Sequence, residues 1–180
     1  MTKQPPVTFA LPGRSGGALI ALVAGLALSA QTPSPAPPPL AWCTRIPLAR
    51  ACRPLEVRAP RGTLRLAVAN SEAQREHGLM NVAYVPAGQG MIFVFPDGDL
   101  DRGFWMKDTI TPLDMVFVRR DGTVSSVAVN VPATPPKTPD EKVARRNGTG
   151  QYVIELGAGQ AGQFGVLPGT RLVIAPLAAQ

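Results

Sequence analysis

From residue 62 onward the chain alternates short apolar runs with tight polar punctuation. Thr63-Leu64-Arg65-Leu66-Ala67-Val68 alternates with a period of two, as a half-buried strand does. Ser71 and Gln74 have capping-box spacing, and Gly78 stands where a short helix would stop, so a helix is predicted between them. Met91-Ile92-Phe93-Val94-Phe95 is apolar on both faces and predicts a covered strand that turns at Pro96-Asp97-Gly98. Further strands are predicted at Gly103–Met106, Leu113–Val118 and Thr123–Val129. Asp121-Gly122 is a two-residue hairpin signal, which would set Arg120 opposite Thr123 and Phe117 opposite Ser126. Residues 131–150 carry four prolines and scattered bases and predict a long loop. Gln151–Leu156 predicts another strand, Ala158–Phe164 one or two helical turns, and Thr170–Ile174 a last strand after Pro168-Gly169. The pattern implies a mainly β fold: a compact single-domain sandwich or barrel of short strands with two short helices.

The segments ahead of that domain have a different character. Gly16–Ala30 is an uncharged apolar run preceded by Lys3 and Arg14. A spanning helix needs about 20 residues, so residues 1–30 predict an export signal or, if uncleaved, an N-terminal anchor. The small residues Ala27, Ser29 and Ala30 offer a cleavage site. The domain is therefore expected outside the cytoplasm: periplasmic, secreted or membrane-tethered. Contact with a membrane is expected only through residues 16–30. Residues 31–61 predict a linker, with five prolines between Gln31 and Leu40 and then a series of arginines. Export makes a Cys43–Cys52 disulfide chemically permissible. It would act as a local clasp, with two free thiols as the alternative.

The formal charge of +6 includes Lys3 and Arg14, and the remaining bases are interspersed with acids. No basic helix or aromatic-studded basic strand is present, which argues against nucleic acid as a partner. The sequence lacks a phosphate-cradling glycine loop before a helix and an H-E-x-x-H pair. His77 is the single histidine, which excludes most Ser-His and Cys-His schemes, and its place before Gly78 suits a helix C-terminus. No cofactor is implied.

Several phrases occur in a telling order: Gly78-Leu79-Met80, Gly90–Phe95, Phe104-Trp105-Met106-Lys107-Asp108-Thr109, Pro112–Phe117 and Tyr152-Val153-Ile154-Glu155-Leu156. Together they resemble the bacterial and archaeal family called domain of unknown function 192, over roughly residues 63–175. The resemblance implies a compact, mainly β fold and frequent export, and it implies no established activity. The family's phrase more often has Asn where this chain has Asp108.

Two chemistries remain open. In the first, Trp105 and Lys107 project from one side of a strand and form a stacking face with a cationic rim. With Asp108 and Asp114 they would bind a small molecule or envelope polymer. In the alternative, a hydrolase-type enzyme uses Asp114 with Asp108 or Glu155 as an acid–base pair. Each residue also has a structural role open to it: Trp105 as core, Lys107 paired with Asp108 or Asp114, and Asp114 bonded to backbone amides. Asp97, Asp99 and Asp101 alternate as calcium ligands do, but Arg102 stands where that loop needs glycine. Met80, Met91, Met106 and Met115 with His77 are soft donors, though methionine more often fills apolar cores. No metal site is assigned.

Overall fold

The structure, a computed structural model, describes residues 38–43, 52 and 54–175. The chain divides at Pro35/Ala36 into two units, and every described residue belongs to the second. The expected export signal at residues 1–30 and the start of the expected linker lie outside the described residues. No described helix is long and apolar enough to cross a membrane.

Among the described residues, nine strands and two short α-helices follow one another: β1 (Leu55–Ala59), β2 (Gly62–Ala69), α1 (Glu72–His77), β3 (Gln89–Val94), β4 (Leu100–Trp105), β5 (Leu113–Val118), β6 (Val124–Val131), β7 (Arg145–Gly150), β8 (Tyr152–Gly157), α2 (Gln160–Gln163) and β9 (Val173–Ile174). Seven strands form one sheet in the order β6-β5-β8-β3-β2-β1-β9, and β4 pairs with β7 as a separate ribbon. The large sheet curls into a half-barrel. A bridge between Thr123 and Arg171 ties its two ends together. The fold is therefore mainly β, as the periodicity implies.

Alternation along the strands divides the core in two. Leu64, Leu66, Ile92, Val116, Ile154 and Leu156 fill one face. Ala67, Met91, Phe93, Met115, Phe117 and Val153 cover the other. Both faces of β5 are packed, which is why all six of its residues are buried. Only β2 and β3 pair in parallel, and the crossover between them carries α1. Ser71 and Gln74 form the expected reciprocal capping box.

Three sequence expectations need correction. First, the domain begins before Gly62: β1 lies within the segment assigned to the linker and pairs along its length with β2. Its Glu56 and Arg58 are exposed while Val57 is buried, so the arginine-rich composition conceals a two-sided strand. Second, residues 131–150 are not one loop. Arg145–Gly150 pairs along its length with β4. This strand has no apolar alternation because it lies as a ribbon on β5. A Cβ on Gly148 would come within 2.3 Å of the Phe117 ring, so that close approach requires glycine. Third, Arg119, not Arg120, bonds to Thr123, and Gly122 closes the turn with φ +86°. A bulge at Ser125 then restores the expected Phe117–Ser126 pairing.

Cys43 and Cys52 are disulfide-bonded. The clasp is not a free-standing feature of a linker. Leu40, Cys43 and Cys52 are buried in the second core. Trp42 donates its indole N–H to Gln89 at 2.8 Å, and Arg65 holds the carbonyl of Pro38 at 2.6 Å.

Candidate functional site

The face of the sheet that carries Phe93 and Glu155 is covered from two sides. On one side lies α1 with the turn that follows it. On the other lies the β4–β7 ribbon, anchored by Phe104. Its ring meets Phe93 edge-on at 4.8 Å between centroids and packs against Phe95 and Phe117 at 6.3 and 6.2 Å. Between these covers opens a cavity of about 570 Å³, within the range of small-molecule sites.

Glu155 is the unusual group in this cavity. It is 5% exposed and lies on β8, opposite Met91 on β3 and Met115 on β5. Both methionines are buried and neither offers a strong acceptor. Among the described residues none hydrogen-bonds the carboxyl group, whose one perturbing influence is burial. That burial raises its pKa to about 8, so the group is largely neutral at pH 7. Its open side is toward the cavity, where Gly78 leaves room: a Cβ there would lie 3.8 Å from Glu155 Oε2.

Trp105 forms an exposed wall of the same cavity and is 38% exposed. Arg145 and Lys107 flank its ring at 4.8 and 5.9 Å from the centroid. Lys107 is ion-paired with Asp140, on a turn of 3-10 helix at Asp140–Lys142, and that hydrogen bond raises its pKa. The expected partners, Asp108 and Asp114, are not the ones it uses. At the far rim, Arg75 and Arg102 sit over Phe95 at 5.2 and 4.0 Å. Arg102 also bonds Asp97, whose pKa it lowers.

The structure thus brings together Trp105, Lys107 and Glu155 and leaves out the other two candidates. Asp108 is an exposed turn residue with φ +49°, and its carbonyl accepts from the amide of Asn81. Asp114 is fully buried. Its two oxygens accept from the amides of Asn130 and Ala161, each at 2.9 Å. A carboxylate enclosed in this way positions β6 and α2 and has no path to a substrate. The pairing of Asp114 with Asp108 or Glu155 as acid and base is therefore set aside.

Other sequence candidates also find structural partners. Asp97 pairs with Arg102, Asp99 accepts from the amide of Arg120, and Asp101 accepts from Thr149, so the three point to separate tasks. Met91, Met106 and Met115 are core residues, whereas Met80 and His77 line the cavity. Sequence reasoning misses Phe104, Arg75 and Gly78 as parts of the site. Gly78 and Phe104 do stand in the ordered phrases that begin at Gly78 and Phe104, whereas Arg75 has no signal of its own.

A model of the family described as uncharacterised ACR, domain of unknown function 192, matches residues 55–174. Two crystal structures are similar. A proposed transcription regulator from Sinorhizobium meliloti 1021 shares 34% identity over 68% of this chain and 93% of that one, with a TM-score of 0.57. A protein of unknown function from Novosphingobium aromaticivorans DSM 12444 shares 30% identity over 67% and 83%, with a TM-score of 0.53. No curated protein matches.

Proposed function

This chain belongs to the domain of unknown function 192 family, and we propose that its domain is a small-ligand binding module working outside the cytoplasm. The observation that carries this reading is the buried, unpartnered carboxyl of Glu155 at the floor of an aromatic-walled cavity. Packed beside Met91 and Met115 and bonded to no described residue, the carboxyl has its hydrogen-bonding capacity free only toward the cavity. A ligand that enters the cavity can use that capacity. The neutral carboxyl donates one hydrogen bond and accepts others, while Trp105 supplies a flat apolar surface. An extracytoplasmic place is supported by the apolar run of residues 16–30 and by the bonded cysteine pair. A reporter active only outside the cytoplasm, fused after residue 35, checks that part.

Binding is tested on the full chain with Trp42→Phe, so that Trp105 alone reports by fluorescence. The probes are mono- and disaccharides, dipeptides and short carboxylic acids. At least one class is expected to shift the emission and raise the melting temperature. Glu155→Gln should weaken that class, and Trp105→Ala should abolish the rise in melting temperature. The reading fails if no probe acts, or if the melting-temperature response survives in both variants.

One observation favours a second reading, a carboxylate hydrolase: Glu155 holds its proton at neutral pH, as a general acid must. Its base would come from Glu72 or Glu76, the other carboxylates of the cavity not already paired with arginine. Cleavage of a bound oligosaccharide, lost in Glu155→Gln, distinguishes the two readings.

A further inference from the structure

A second cavity, of about 630 Å³, adjoins the first, and His77 and Met80 line both. Its walls come from the disulfide-bonded clasp, which contributes Ala41 and Trp42, and from the turn carrying Tyr84 and Pro86. Tyr84 is 69% exposed although it is a large aromatic. No lysine, arginine or carboxylate lines this cavity, and its polar groups include the side-chain amides of Asn81 and Gln89, the latter with its oxygen already accepting from Trp42.

We propose that the two cavities are one extended cleft for a neutral oligosaccharide, with Trp105 and Glu155 holding one part of the chain and Tyr84 and Trp42 another. The proposal rests on the binding reading of the first cavity and assigns the class of its ligand. Sugar rings present apolar C–H faces that lie on aromatic rings, and hydroxyls that bond amide and carboxyl groups. The wall of the second cavity, which carries no lysine, arginine or carboxylate, selects against ionic ligands in that part of the cleft, where they would shed hydration without a counter-charge; Glu72, Arg75, Glu76 and Lys107 line the first part.

A peptide fits less well. The backbone N–H groups of Asn81, Val82 and Gln89 already donate to the carbonyls of Asp108, Leu79 and Pro86. β3 is paired on both sides, with β2 and β8. Neither offers a free row of groups for an added strand. The brace behind the second cavity is also fixed. The side chain of Gln160 accepts from the amide of Gly88 at 3.0 Å and donates to the carbonyl of Val85 at 3.1 Å.

The test is calorimetric titration of the full chain with β-1,4-linked N-acetylglucosamine of two and of six units, and with the corresponding glucose oligomers. A chain that engages both cavities makes its second contact intramolecularly. The six-unit ligand of at least one series should therefore bind roughly tenfold or more tighter than its two-unit counterpart. Tyr84→Ala should remove that gain and leave the shorter ligand unchanged. Equal affinities for the two lengths, or a gain that survives Tyr84→Ala, overturn the extended cleft. If dipeptides or carboxylic acids bind in a Trp105-dependent way and no saccharide does, the first cavity stands as a binding site and the oligosaccharide proposal falls. If no probe binds, both fall.

Discussion

Met91 and Glu155 stand directly opposite one another across β3 and β8, so an acid and a thioether share one face of the sheet. Directly opposed residues lie within about 4.5–5.5 Å at their Cβ atoms. The carboxyl therefore has apolar packing where a charged group needs hydrogen bonds.

The first prediction concerns pH. Burial raises the Glu155 pKa from 4.5 to about 8, so the folded chain keeps a proton that the unfolded chain releases. The contribution of this group is fully present below pH 4.5 and is lost as pH rises through about 8. The whole effect is on the order of 3–5 kcal/mol. Urea unfolding between pH 4 and 9 should show stability falling with pH in the wild type. Glu155→Gln should flatten that fall, because its amide does not titrate. Identical slopes would show that another group carries the proton.

How much of this was legible in the sequence depends on which force decides each element. The Leu113–Val118 strand is legible with its ends because burial on both faces leaves a continuous apolar run. The Ser71–Gln74 cap is legible because it is local. β1 and β7 are not, because their partners, not their own patterns, make them strands. β7 is held by register with β4 and by glycines that let it lie on Phe117 and Val118. Trp105 and Lys107 do share a cavity. The sequence leaves both roles open for Asp114, because an acid before an apolar strand looks the same whether it faces a ligand or two amides. Glu155 could be named as a partner but not ranked, since its isolation follows from three strands brought together by the topology.

The second prediction separates that structural acid from the site. Asp114→Ala leaves the amides of Asn130 and Ala161 without acceptors. At about 1–3 kcal/mol for the buried Ala161 amide, with a smaller part from the half-buried bond to Asn130, the loss should be roughly 1–4 kcal/mol. Asp114→Asn keeps one acceptor oxygen and should lose less. In both variants the folded fraction should bind any ligand of the Trp105 cavity with unchanged affinity. A selective loss of affinity at full folding would return Asp114 to the site.

The third prediction concerns close approach. A Cβ on Gly90 would fall 2.1 Å from the carbonyl oxygen of Glu155. Two backbones in a sheet cannot yield that much without breaking their pairing, so Gly90→Ala should destabilise by about 3 kcal/mol or more. Gly162→Ala is the control, since a Cβ there meets nothing within 4 Å. Denaturation midpoints of the two variants check the contrast.

The fourth prediction concerns the clasp. Its disulfide joins cysteines nine positions apart, and closing so short a loop stabilises by about 2–3 kcal/mol in the chain-entropy model. Both cysteines also sit in the apolar core beside Leu40, so Cys43→Ser with Cys52→Ser adds the cost of buried hydroxyls. Reduction alone should act more selectively. It frees the segment that carries Trp42 but leaves the β4–β7 ribbon, which holds Trp105, paired as before. In a Trp105→Phe background, dithiothreitol should shift Trp42 emission to the red as its bond to Gln89 is lost. In a Trp42→Phe background, Trp105 emission should stay constant. A red shift in both backgrounds would mean that the clasp supports the whole fold, and constancy in both would mean that the segment stays docked through Leu40 and Arg65 without its covalent tie.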